Sequence, residues 1–369
     1  MKNTIKKSLF LVSTFLLIFL LIIHIGKLTS VSNEKPKSVI LIIGDGMGLP
    51  IITAYDYYKS EYKKQGYSNF SKFDGSFLVR TRSQDYVITD SAAGATAFAV
   101  GKRVPNYQVG IIENGNRVPT IMDIAKKMGK STGLVVECTL THATPAAFYS
   151  YSKSRTDDDN IARQFIYSNI DIAIGGGFEI FKPYINHLEK MGYTIIYGEE
   201  KLPDIAKSGK YYEKLVLFTA KNHPPRYKER KVHLDVKTEY ALSMLSRNKN
   251  GFFLMVEASQ IDWYGHENKL QEQLDEMEDL DKLLDVALSY HQRNPNTLVI
   301  VISDHDCGGL TLIDKKAKFF SLDFKINYSS DYHTAEHIVG FYKGSIKVNP
   351  IIDNTEIYKI LHEYIKGMI

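Results

Sequence analysis

Acidic and imidazole side chains recur in this chain just after apolar runs, where a cation would be the natural partner. Asp262 and His266 stand four apart in Ile-Asp-Trp-Tyr-Gly-His, so one helical turn presents both to the same ion. Glu257 closes the apolar run Phe252–Glu257, a place where an unpaired carboxylate is costly. Asp304 and His305 follow the apolar residues Leu298–Ile302. Asp45 lies in Gly44-Asp45-Gly46-Met47-Gly48, whose glycines allow a sharp turn and whose spacing lacks the G-x-G-x-x-G of a dinucleotide site. His333 and His337 form a second i, i+4 pair. Ser91 opens an alanine-rich helical stretch, with Asp90 or Ser91 at the N-cap, where a hydroxyl feels the positive end of the helix. Arg155 supplies a guanidinium fork suited to two phosphate oxygens. Each feature alone also reads as something ordinary: a strand-ending turn, a surface pair, a helix cap, a surface arginine. Together they are the parts of a phosphoryl-transfer site, in which two divalent ions about 3.5–4 Å apart clamp the attacking and leaving oxygens.

The elements that must hold these residues alternate between strand and helix. Strands are expected at Ser38–Ile43, Phe77–Arg82, Ser131–Glu137, Asp171–Ile174, Tyr193–Tyr197, Leu215–Thr219, Phe252–Glu257 and Thr297–Ser303. Helices are expected at Ala92–Val100, Thr120–Met128, Val236–Leu245 and Lys269–Tyr290. That alternation predicts an α/β fold, a three-layer α/β/α sandwich with a mostly parallel central sheet. Ligands of such sheets bind at the carboxyl ends of the strands, where the donors fall. One catalytic domain is expected over residues 38–369, with residues 178–235 as an irregular insertion.

The chain has 369 residues, 44% hydrophobic and 24% charged, which excludes wholesale disorder and fibrous classes. Its formal charge is +4, and Lys2, Lys6, Lys7 and Lys27 account for it; the remainder balances, which disfavours nucleic-acid binding through bulk charge. Two cysteines, Cys138 and Cys307, cannot build a disulfide framework or a cysteine-rich zinc site, and whether they pair is open. The three early lysines precede an apolar run from Leu9 to Ile25, with no Ala-x-Ala-like cleavage site after it. Residues 1–30 therefore read as a signal peptide or an N-terminal membrane anchor, and residues 31–37 as a linker. Both readings place the rest of the chain outside the cytoplasm, periplasmic or extracellular, free or membrane-anchored.

The strings Ile42-Ile43-Gly44-Asp45-Gly46-Met47-Gly48, Thr89-Asp90-Ser91-Ala92-Ala93, Ala143-Thr144-Pro145-Ala146-Ala147, Ile174-Gly175-Gly176-Gly177, Val256-Glu257 with Ile261-Asp262, Ser303-Asp304-His305 and His333-Thr334 occur in an order that resembles the alkaline phosphatases. The resemblance covers most of the chain. It implies hydrolysis of phosphate monoesters, releasing inorganic phosphate, through a phosphoseryl intermediate on Ser91. It also implies a first zinc ion on Asp262, His266 and His333, and a second on Asp45, Asp304 and His305. A third, magnesium-type site is implied on Asp45, Thr144 and Glu257, and a phosphate clamp on Arg155, oriented by Asp90. Two positions depart from the family pattern. His142 stands where many bacterial members have Asp, and an imidazole suits hydrated Mg²⁺ less well than a carboxylate. Trp263 stands where some members have a Lys or His that reaches the phosphate. Only 27 residues separate His305 from His333, so the surface insertion of larger dimeric members is missing and the chain reads as monomer or dimer. A diesterase or sulfatase of the same superfamily, and a non-catalytic exported metal- or phosphate-binding protein, are the rival readings.

Overall fold

Val39, Leu41 and Ile43 of the first apolar run face one side of a ten-stranded sheet, and Ile40 and Ile42 face the other. Side chains alternate across a strand, so a run that is apolar at every position needs a cover on both faces. In this computed structural model, which describes residues 37–313 and 326–369, both covers are helical. The leader, and the signal-or-anchor reading attached to it, lies outside the described residues. Among the described residues no helix is long and apolar enough to cross a membrane.

In chain order the sheet strands are β1 (Ser38–Gly44), β2 (Gly75–Arg80), β3 (Ser131–Thr139), β4 (Ile172–Gly176), β5 (Thr194–Tyr197), β6 (Leu215–Phe218), β7 (Phe252–Ala258), β8 (Thr297–Ile302), β9 (Ile338–Lys343) and β10 (Ile351–Asp353). They lie side by side as β10-β2-β9-β8-β1-β7-β3-β4-β6-β5. All pairs from β8 to β5 are parallel; β9 runs antiparallel to both β8 and β2. The α/β/α reading therefore matches the fold, with an antiparallel element that the sequence pattern did not reveal.

One helical layer contains α2 (Ser91–Val100) and α7 (Glu356–Ile365); the other contains α1 (Leu49–Tyr57), α4 (Leu234–Leu245) and α6 (Leu270–Arg293). The short helices α3 (Ala143–Ala147) and α5 (Gln260–His266) sit just beyond the ends of β3 and β7. On α6, Leu274, Met277, Leu280 and Leu284 recur every three or four residues and are buried, the stripe expected of a helix lying on a sheet. Every residue of α2 is buried, which explains its small side chains. At Gly94 a Cβ would come within 3.1 Å of the Asp304 Cβ, so glycine lets this helix pack directly on the residue that follows β8.

Residues 178–235 are not an irregular insertion. They supply β5 and β6, which extend the central sheet in parallel register. The strands expected at Tyr193–Tyr197 and Leu215–Thr219 are these two, and what the sequence pattern leaves open is their place beside β4 in the central sheet. Arg230 anchors this segment, fully buried against Glu276 and Asp279 of α6 at 2.7 Å each and Glu137 of β3 at 3.4 Å. Cys138 and Cys307 are buried free thiols and do not pair.

Candidate metal centre

Register brings the donors together. Ile43 of β1 lies beside both Glu257 of β7 and Ile302 of β8, so Asp45, Glu257 and Asp304 emerge at one edge of the sheet. Gly46 turns with φ +69°, and a Cβ there would meet the Asp262 Cα at 2.7 Å. Only glycine lets the β1 turn approach α5 this closely.

Asp262, His266 and His333 form a first group. The Asp262 carboxylate lies 3.4 Å from both His266 Nε2 and His333 Nε2, and the two imidazole nitrogens are 3.2 Å apart. Each ring is held by its other nitrogen: His266 Nδ1 donates to the Asp331 carbonyl at 2.7 Å, and His333 Nδ1 donates to the Thr89 carbonyl at 2.9 Å. In the neutral rings both Nε2 atoms are then acceptors, pointing their lone pairs at each other and at a carboxylate. A tetrahedral ion with bonds of about 2.0 Å needs ligand atoms about 3.3 Å apart, the spacing found here. Without an ion, protons must serve. Hydrogen bonding to Asp262 lifts His266 to about 9. Burial pushes the Asp262 carboxyl up, but hydrogen bonds from His266 and His333 outweigh it and hold the group well below its ordinary value.

Asp45, Asp304, His305 and Ser91 form a second group, all fully or almost fully buried. His305 Nε2 lies 3.4 Å from the carboxylates of Asp45 and Asp304 and 3.2 Å from Ser91 Oγ; Ser91 Oγ lies 3.5 Å from Asp45 Oδ1. Burial, and then the charge of Asp304, raises Asp45 well above its usual range. Burial, and then Asp262, carries Asp304 to about 6. Burial keeps His305 neutral. Asp45 Oδ2 and Asp304 Oδ2 are buried without a hydrogen-bond partner. Such crowding of carboxylates is stable only if positive charge offsets it.

A third group surrounds Glu257, whose carboxyl burial carries to about 7. Glu257 Oε1, Thr144 Oγ1 and His142 Nδ1 are buried and unpartnered. Cys138 Sγ donates to Glu257 Oε2 at 3.2 Å, and donor atoms of Cys138, His142 and Glu257 lie within 4.8 Å of one another. The oxygens of Asp45, Thr144 and Glu257 fit a hard cation, while the nearby imidazole and thiol are softer donors. Sequence reasoning gave Cys138 no role here, because its place on β3, beside Glu257 on β7, depends on the strand pairing.

Asp90 caps α2 by accepting from the Ala93 N–H at 3.0 Å, and its other oxygen accepts from Arg155 Nη1 at 3.1 Å. One carboxylate thus fixes both the helix that carries Ser91 and the guanidinium. Arg155 Nη2 donates to His142 Nε2 at 3.3 Å. The uncharged Trp263 ring meets His142 edge-on, 6.3 Å between centroids. His223 also packs edge-on to Trp263, with centroids 4.9 Å apart, and its Nδ1 accepts from the Thr139 N–H. His223 comes from an irregular stretch, and no local pattern marked it. His337 is exposed and stands outside the cluster, unlike His333.

A family model described as alkaline phosphatase matches residues 36–343. Alkaline phosphatase 4 of Bacillus subtilis (strain 168) is 35% identical over 292 residues, covering 75% of this chain and 62% of its own length. Alkaline phosphatase 3 of the same organism is 34% identical over 298 residues, covering 76% and 63%. The chain thus spans about three fifths of the length of these relatives. The structure of alkaline phosphatase from the Antarctic bacterium TAB5 superposes with a TM-score of 0.80 at 33% identity, over 90% of this chain and 98% of that one. A histidine-to-aspartate variant of that enzyme, with Mg bound, superposes equally well at 32% identity, over 90% and 99%.

Proposed function

The chain belongs to the alkaline phosphatase family, and from that premise we propose that it hydrolyses phosphate monoesters to an alcohol and inorganic phosphate, with Ser91 as nucleophile. The observation that carries this reading is the position of Ser91 Oγ, 3.2 Å from His305 Nε2 at the N-terminus of α2. The Arg155 guanidinium is held by Asp90, the N-cap of the same helix.

The proposed reaction is two in-line displacements. Ser91 Oγ forms a bond to phosphorus as the ester P–O bond breaks, and the departing oxygen takes up a proton. Water then forms a bond to phosphorus, the P–Oγ bond breaks, and Ser91 regains its proton. Asp262, His266 and His333 would hold one zinc ion, Asp45, Asp304 and His305 a second, and Asp45, Thr144 and Glu257 a magnesium-type ion. When bound, these cations supply the positive charge that favours deprotonation of the serine and the water and offsets charge on the leaving oxygen. Arg155 binds two phosphoryl oxygens and is held in its bidentate pose by Asp90 and His142. Asp90 also sets the α2 N-terminus, whose free N–H groups favour the anionic phosphoryl group. The buried walls of the site limit competing solvation of these charges.

Magnesium at the third site is the family expectation; His142 and Cys138 tilt that donor set toward softer ions. The basic, apolar leader supports export, to the periplasm or the cell exterior. Acid-quenching a reaction with labelled substrate should leave phosphate on the Ser91 peptide. Ser91→Ala should lose that label, together with several orders of magnitude in turnover. An unlabelled Ser91, or an alanine variant of unchanged activity, would refute the assignment.

A further inference from the structure

Tyr332 lies on the His333 ring, 4.5 Å between centroids and 10° from parallel, and tilts over His266 at 5.7 Å. It is immobilised from several sides. Its carbonyl accepts from the Gly308 N–H at 3.0 Å and its own N–H donates to Ser330 Oγ at 2.9 Å. The residue before it supplies the carbonyl that holds His266, and the residue after it is bonded to the Thr89 carbonyl. Tyr332 still leaves 41% of its surface to solvent. Opposite stands Tyr107, in a left-handed turn at φ +67°, with 56% of its surface open. Its N–H donates to Asp90 Oδ2 at 3.1 Å and its carbonyl accepts from the Arg155 N–H at 2.7 Å. The Tyr107 side chain stands close enough to the Tyr332 phenol to interact with it. Phosphate chemistry needs none of this exposed ring area. A rigid aromatic ring left open to water is, in contrast, an efficient platform for another flat ring, since little conformational entropy is lost when it is covered.

We propose that Tyr332 is a stacking shelf for the leaving group, selecting phosphomonoesters in which a flat aromatic ring lies beyond the ester oxygen, as in nucleoside monophosphates. The inference rests on the phosphomonoesterase reading above, in which the ester oxygen departs on the side of Asp262, His266 and His333. Tyr332 lies against two of those three residues, so a ring attached through a short linker to that oxygen comes within its reach. The chemistry of the bond broken does not change; the shelf adds binding outside the phosphoryl group.

The test compares adenosine 5′-monophosphate with ribose 5-phosphate, which share a primary 5′-oxygen and differ by the base. The full chain should favour the nucleotide in kcat/KM by at least about fivefold, the scale of one base stacked on one aromatic side chain. Tyr332→Phe should keep that ratio. Tyr332→Ala, and Tyr332→Leu, which preserves a cover on His333, should bring it toward one. Taking the ratio cancels any common effect on His333. A ratio near one in the wild type, or one unchanged in both non-aromatic variants, overturns the shelf alone. Failure of the wild type to turn over either ester overturns the phosphomonoesterase reading beneath it.

Discussion

The Arg155 guanidinium is suspended between a carboxylate and an imidazole: Nη1 donates to Asp90 at 3.1 Å and Nη2 donates to His142 Nε2 at 3.3 Å. His142 is half-buried, and burial and then Arg155 hold it neutral, at about 3. Its other nitrogen, Nδ1, is unpartnered on the Cys138–Glu257 side. One ring therefore touches both Arg155 and the third donor group.

Removing that ring should loosen Arg155 while leaving Ser91 in place. His142→Ala deprives a charged donor of one of its two acceptors, a loss of about 1.5 kcal/mol or more. The expected result is a rise of about tenfold in both KM and the inhibition constant of inorganic phosphate, with a smaller change in kcat. Phosphate inhibition kinetics measure it. An unchanged inhibition constant would mean that Asp90 alone orients Arg155.

Metal removal should expose a pH dependence that the loaded protein lacks. In the chelated protein His266 titrates at about 9, above its ordinary 6.5, because it hydrogen-bonds Asp262. The folded state then holds its proton more tightly than the unfolded state does. The resulting stability is fully present below pH 6.5 and is lost as the pH rises through about 9. Melting temperatures of chelated wild type should fall across that window, and those of chelated His266→Ala should fall less. Identical profiles for the two proteins would count against the pair.

Lys237 is completely buried, bonded to Glu137 at 2.8 and 3.0 Å and to Glu199 at 3.0 Å. Glu137 stands next to Cys138 on β3, and its carbonyl accepts from Gln260 at the start of α5. This ion cluster thus supports the strand and helix that present the first and third donor groups. Lys237→Met leaves the carboxylates without their lysine and should cost about 3–5 kcal/mol of stability in denaturant titration. A shift under 1 kcal/mol would mean that Arg230 alone neutralises the cluster.

The donor-bearing edge of the sheet is more legible in the sequence than the scaffold around it. Donors that follow long apolar strands were legible because buried parallel strands leave an unmistakable apolar run, and because ligands gather at their carboxyl ends. Ser91, Asp90 and the i, i+4 pair Asp262 and His266 carry their geometry locally, within one helix turn. Cys138, His223, Tyr107 and Tyr332 carry no such local signal. Cys138 reaches Glu257 only through the pairing of β3 with β7, and Tyr332 reaches His266 only through long-range packing. Strands β5 and β6 are legible as short apolar runs of four residues, but not as members of the central sheet, so the stretch around them reads as an insertion. Their membership of the sheet is decided by neighbours far away in the chain. The antiparallel strand β9 was hidden for the same reason.

The central claim is that paired cations sit in two ligand cages on either side of the Ser91 reaction path. Anomalous diffraction at the zinc edge, on crystals of the full chain grown with inorganic phosphate, tests it most directly. The account predicts one peak within bonding distance of Asp262, His266 and His333, a second within bonding distance of Asp45, Asp304 and His305, and phosphate between them facing Ser91 and Arg155. Crystals from zinc-replete protein that turns over phosphate monoesters, yet with no density in either cage or with zinc bound elsewhere, would contradict it.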